Sequence, residues 1–150
     1  MNRSIALTLA AIAVSIAVEP LAGADAPAGR YTIANGMVTD TETKLIWSQT
    51  EQPGGPWDWV DAQSQCTAPW RVPTVQELRT LSDLTQTTSP SIDTSAFNGP
   101  TAGSPPSGGL IWTSTVYLLN PPGYSFYVNF DNGAVDANEP TNLGSVRCVQ

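Results

Sequence analysis

Trp70-Arg71-Val72-Pro73-Thr74-Val75-Gln76-Glu77-Leu78-Arg79-Thr80-Leu81-Ser82-Asp83-Leu84 is the stretch whose reading decides the fold. Pro73 biases Val72 towards an extended backbone. Thr74 then stands where a helix N-cap belongs, with Glu77 three residues on. That pair is a capping box: the Thr hydroxyl accepts from the third helical N–H and the Glu carboxylate returns to the cap N–H. Val75, Leu78, Leu81 and Leu84 follow at three-residue spacing and predict one apolar stripe. Arg79, Ser82 and Asp83 fall off that stripe. The stretch therefore reads as an extended approach, a fixed corner and an amphipathic helix of about three turns. It is a core helix, and none of its residues carries chemistry.

Upstream, Asp58 is an N-cap with Asp61 at the third position, and Trp59, Ala62 and Cys66 share one side of a first helix that ends at Pro69. Tyr31 to Trp47 reads as two or more strands, with Asn35-Gly36 as a turn and Asp40 to Lys44 as polar punctuation. Downstream, Thr85 to Gly109 is mostly Ser, Thr, Pro and Gly, with Ile92 and Phe97 as its only large apolar residues. A loop of that length inside a compact domain is usually functional or disordered; here the two apolar residues are expected to peg it to the core. Leu110 to Tyr117 is a strand, Pro121-Pro122-Gly123 a turn, and Gly144 to Val149 a closing strand after the loop Glu139 to Leu143.

Asn132-Gly133 between Tyr124–Asp131 and Ala134–Asn138 is a strong hairpin signal. With those two as the loop, Asp131 pairs with Ala134, Phe130 with Val135, and Val128 meets Ala137. Tyr127, Asn129, Asp136 and Asn138 then share the opposite, polar face. They are expected to be exposed and cheap to substitute, and they form the candidate ligand-binding set, together with the loop Asn98 to Gly109. Asp131, Asp136 and Glu139 lack the spacing of a dedicated calcium loop.

Residues 1–24 read as a signal peptide: Arg3, an uncharged run from Ile5 to Val18, and the small-residue site Ala22-Gly23-Ala24. Residues 25–30 read as a tether and 31–150 as one domain, exported to the periplasm, the cell surface or the medium. The net charge of −7 argues against nucleic acid and anionic membranes as main partners. The chain has no histidine, which removes Ser-His-Asp, Cys-His and His-ligated zinc chemistry. Its two cysteines, Cys66 and Cys148, are most simply a disulfide in an exported chain. Chain entropy makes such a bridge worth roughly 4–5 kcal/mol, less any strain. No metal, no cofactor and no membrane span are expected.

The motifs Asp40-Thr-Glu-Thr-Lys-Leu-Ile-Trp47, Trp59-x-x-Ala62-x-x-x-Cys66, Trp70-Arg-Val-Pro-Thr-x-x-Glu-Leu78, Ile92-Asp93-x-x-x-Phe97, Ile111-Trp112-Thr-Ser114, Tyr127-Val-Asn-Phe130 with Gly133, and Val146-Arg-Cys-Val149 occur in this order. Together they resemble the Lcl C-terminal domain family, a bacterial extracytoplasmic domain named after a collagen-like adhesin. The resemblance implies an α+β, C-type-lectin-like fold: two helices packed on a twisted antiparallel sheet, with the ends tied together and a long loop region. Only Thr67-Ala68-Pro69 separates Cys66 from Trp70, where the family usually has a longer linker containing glycine.

The resemblance implies an exported, non-catalytic binding or adhesion module for a glycan or protein ligand. The alternative is a structural or assembly subunit of a bacterial surface apparatus. The resemblance also reaches the formylglycine-generating enzymes, which use cysteines for oxidation. With both cysteines expected in a bridge and no histidine, the chain is not expected to be an enzyme.

Overall fold

The computed structural model describes residues 26–85, 88–98, 109–119 and 123–150. The expected signal peptide 1–24, most of the loop Asn98 to Gly109, and Pro121-Pro122 lie outside these residues. The fold is α+β. Two three-stranded antiparallel sheets stand where a single sheet was expected: β1 (Tyr31–Ala34), β2 (Met37–Asp40) and β3 (Ile46–Ser48) form one, and β4 (Leu110–Val116), β5 (Ser125–Asn129) and β6 (Ala134–Asn138) the other. The β1–β2 turn is Asn35-Gly36 with both residues at positive φ, 53° and 74°, the geometry for which Asn-Gly is favoured.

The C-terminal segment is not a regular strand but a strap that joins the two sheets through isolated bridges. Val149 pairs with Trp47 and with Arg71, and Ser145 pairs with Ile111. The strap must serve partners on several sides in a few residues, which prevents a continuous ladder with any one of them. It carries Cys148, bridged to Cys66 with Cα atoms 5.7 Å apart across 82 residues of sequence.

Both helices are shorter than the periodicity predicts. Asp58 caps α1 (Trp59–Ala62) by accepting from Asp61 N–H, as expected. The Ser64 hydroxyl and the Gln65 amide both donate to the Asp61 carbonyl, and this competition from side chains favours turn over further helix. Cys66 therefore lies beyond the helix. Thr74 and Glu77 form the predicted capping box on α2 (Val75–Leu78), which tightens into one 3₁₀ turn at Arg79–Leu81. Val75, Leu78 and Leu81 are buried, but Leu84 is 78% exposed. The stripe stops because Asp83 N–H donates to the Ser91 carbonyl and the Asp83 carboxylate accepts from Thr85, which turns the chain out.

Two apolar clusters flank β4 and β5. The first holds Trp47, Leu78, Leu81, Ile92, Phe97, Ile111, Val128 and Phe130 among others. The second holds Ala62, Val72, Trp112, Val146 and Cys148, with Trp57, Trp59, Trp70 and Tyr127 packed against it. Ile92 and Phe97 are fully buried pegs, as predicted. Strands β4 and β5 are thus covered on both faces and alternate between two cores, while β6 is an exposed edge.

Of the buried charged residues, two are fully enclosed. Asp40 is fully buried. Arg30, at the end of the expected tether, donates to Asp40 at 3.1 Å and to the Thr80 carbonyl at 2.6 Å. Burial alone raises the Asp40 pKa, but the Arg30 guanidinium and the Glu42 backbone N–H hold it below the ordinary carboxylate value. The other residue is Arg147, fully buried under Phe97.

The capping box has a pH signature. Glu77 accepts from Arg71 at 2.8 and 2.5 Å and from the Thr74 N–H at 2.8 Å. The Arg71 hydrogen bonds, with help from Thr74, bring its pKa down to about 2. A carboxylate whose folded pKa is depressed stabilises fully above its unfolded value and loses that contribution as the pH falls through the folded one. Discounted for the half-exposed Arg71, the contribution is about 1–2 kcal/mol. Glu77→Gln is expected to lower stability by that amount at pH 7, and the gap from the parent to close between pH 4.5 and about 2. Chemical denaturation across that range checks it; a gap independent of pH contradicts it.

Candidate functional site

The hairpin places the four predicted side chains on one face, in a different register. The pairs are Ser125 with Asn138, Tyr127 with Asp136, Val128 with Val135, and Asn129 with Ala134. The loop is Phe130 to Gly133, not Asn132-Gly133 alone. Phe130 is withdrawn from the ladder: its side chain is fully buried, its N–H donates to the Gly109 carbonyl, and its carbonyl accepts from Ser91. Two residues of shift preserve the alternation, so face membership survives while each partner changes.

The face is less open than the sequence implies. Tyr127 is half-buried and meets Trp112, its partner on β4, edge-on with ring centroids 6.0 Å apart. Its phenol is held above the ordinary value, first by burial and then by the negative charge of Asp136. The hydroxyl therefore remains a donor at neutral pH. Asn129 accepts from Asp131 N–H at 2.8 Å, which closes the hairpin loop. Asn138 accepts from the Asn142 amide at 2.6 Å and from Glu139 N–H. Asp136 is exposed and accepts from Ala137 N–H. Asn129 and Asn138 thus shape the loops, and substitution of Tyr127 or Asn129 is not free: one costs packing, the other a turn hydrogen bond. Tyr127 and Asp136 remain as a phenol and a carboxylate directly opposite each other.

Beyond the hairpin loop lies a depression of roughly 280 Å³ lined by Asp83, Leu84, Ser89, Ser91, Asp131 and Asn132. The sequence reading missed it, because it unites the end of α2, the pegged loop and the hairpin tip. The density of Ser and Asp in Asp83 to Asp93 was the available signal. Among the described residues no group of three or more His, Cys, Asp or Glu is placed to hold a metal ion, and no helix is long and apolar enough to cross a membrane.

The family model for the Lcl C-terminal domain matches residues 36–150, from the β1–β2 turn to the end of the chain. The chain belongs to the Lcl C-terminal domain family. Comparisons with curated proteins and with solved structures give no match. Within the Lcl C-terminal domain match lie α2 with its capping box, both bridged cysteines, the pegs Ile92 and Phe97, and the whole β4–β5–β6 sheet. Strand β1 and Arg30, which anchors Asp40, precede it.

Proposed function

We propose that this Lcl C-terminal domain is an exported, non-catalytic binding or adhesion module of the C-type-lectin-like class, taking a glycan or protein ligand on the face of β5 and β6. The observation that carries the reading is the cross-strand pair of Tyr127 and Asp136. Trp112 fixes the Tyr127 ring, so donor and acceptor are positioned before any ligand arrives, which lowers the entropy cost of binding. The C-type-lectin-like assignment draws support from the strap that ties the chain end to both sheets, and from the long segment between α2 and β4. Both cysteines are bridged, leaving no free thiol for oxidase chemistry.

The expected result of a glycan and protein array, run with and without calcium, is a defined set of hits that does not depend on the cation. An array with no hit removes the reading. The second reading, a subunit of a surface apparatus, has its own support: Leu118 and Leu119 beyond β4 are 87% and 70% exposed, next to the 40% exposed Val116, and such apolar groups mark association surfaces when contiguous. A defined oligomer by light scattering favours it.

A further inference from the structure

A second depression, of roughly 200 Å³, lies against the disulfide strap, lined by Ser48, Gln52, Gln65, Thr67, Trp70 and Cys148. Its lining contains no charged residue, in a chain of net charge −7. Every element around it is fixed. Ser48 ends β3 and accepts from Cys148 N–H at 3.0 Å; Gln52 N–H donates to the Val146 carbonyl; Trp70 N–H donates to the Thr67 carbonyl; and the Cys66–Cys148 bridge passes beside them.

The polar groups of this depression are underused by the fold. The packed tryptophans Trp59 and Trp112 donate their indole N–H to the Thr113 and Trp57 carbonyls. Trp70 is half-buried against the second core, and its indole N–H has no hydrogen-bond partner among the described residues; the Gln52 amide and the Thr67 hydroxyl have none either. Gln65 donates to the Asp61 carbonyl, which leaves its own carbonyl oxygen as an acceptor. An indole, two amides and two hydroxyls thus surround one neutral hollow on a rigid frame.

We infer that this hollow is a binding site for a single neutral sugar ring. Sites for drug-sized molecules run to about 300–1,000 Å³, so a hollow of roughly 200 Å³ suits one ring rather than an extended chain. A pyranose offers an apolar C–H face to the indole and alternating hydroxyls to amides that both donate and accept. The lack of charge in the lining disfavours sulfated or amino sugars, which would need an ionic partner. The inference rests on the reading of the chain as a binding module, but not on the β5–β6 face.

The test is titration of the disulfide-intact chain with the neutral methyl glycosides of glucose, galactose, mannose and N-acetylglucosamine, following the indole ¹H–¹⁵N signals. One glycoside is expected to move the Trp70 signal, and Gln52→Ala and Thr67→Val each to weaken that binding about three- to tenfold. Both are surface changes that leave the backbone hydrogen bonds intact, so folding is retained even where Trp70→Phe is not tolerated. A Trp70 signal that no glycoside moves overturns the inference, as does one moved only by a proline-rich peptide. Glycan binding through Tyr127 with a silent Trp70 overturns this site alone; no glycan or protein bound anywhere overturns the module reading as well.

Discussion

Replacing Arg147 by alanine is expected to cost about 3–5 kcal/mol. Arg147 is fully buried. Its guanidinium donates to the carbonyls of Ser48 at 2.6 Å, Gln49 at 2.7 Å and Asn98 at 3.2 Å, and sits 5.0 Å from the centre of the Phe97 ring. One side chain therefore joins the end of β3, the C-terminal strap and the pegged loop just after Phe97. Burial pushes its pKa down to about 10, so it remains charged at neutral pH. Alanine leaves three carbonyls without this donor and a cavity under Phe97. Arg147→Met fills the volume but donates to none of these carbonyls, of which Gln49 keeps the Asn98 N–H, so it is expected to recover only part of the loss. Lysine has a point charge rather than a planar fork and cannot serve all three acceptors in the same way. Urea unfolding measures each variant; an alanine variant within about 1 kcal/mol of the parent contradicts this role.

Opening the disulfide is expected to cost about 2–5 kcal/mol. The bridge joins the turn after α1 to the strap, and the strap in turn pairs with Trp47, Arg71 and Ile111. Without it, the second cluster loses the tie between Cys66 and Cys148 at its centre. Cys66→Ser with Cys148→Ser is expected to lower the melting temperature by roughly 10 °C or more, and a reducing agent to do the same to the parent and nothing to the double variant. Equal melting of parent and double variant contradicts a structural role for the bridge.

The features legible in the sequence were those encoded within a few residues. Thr74 with Glu77, Asp58 with Asp61, and Asn35-Gly36 each specify local geometry through their own hydrogen bonds or backbone preference, and each forms as read. Ile92 and Phe97 were legible as pegs because they are the only large apolar residues in polar surroundings; the burial of Ser91, Asp93 and Ala96 beside them was not legible. The length of α2 was not, since the turn after Leu81 is imposed by pairing of Asp83 with Ser91 in a distant loop. The β5–β6 register failed for the same reason: Gly109 and Ser91 take the backbone groups of Phe130 that a two-residue hairpin needs.

The burial of Arg147 does not follow from the net charge of the chain. The signal was present in Val146-Arg147-Cys148-Val149, where every neighbour is apolar and alternation puts Arg147 on the side of Val149. Asp40 looked like turn punctuation, yet it is the residue whose carboxylate accepts from Glu42 N–H and from Arg30. Of the candidate site, the sequence conveyed which side chains share a face. It could not convey that Trp112 covers part of Tyr127, because that contact depends on the pairing of β4 with β5.

The measurement that bears most directly on the binding reading is calorimetric titration of an array hit against the parent chain and Tyr127→Phe/Asp136→Asn. These changes remove a hydroxyl and a charge while keeping the packing against Trp112 and the hydrogen bond to Ala137 N–H. The double variant is expected to melt within a few degrees of the parent and to bind at least about tenfold more weakly, the loss of roughly one charge-assisted hydrogen bond. Unchanged affinity in a folded double variant would contradict the assignment of ligand binding to the β5–β6 face.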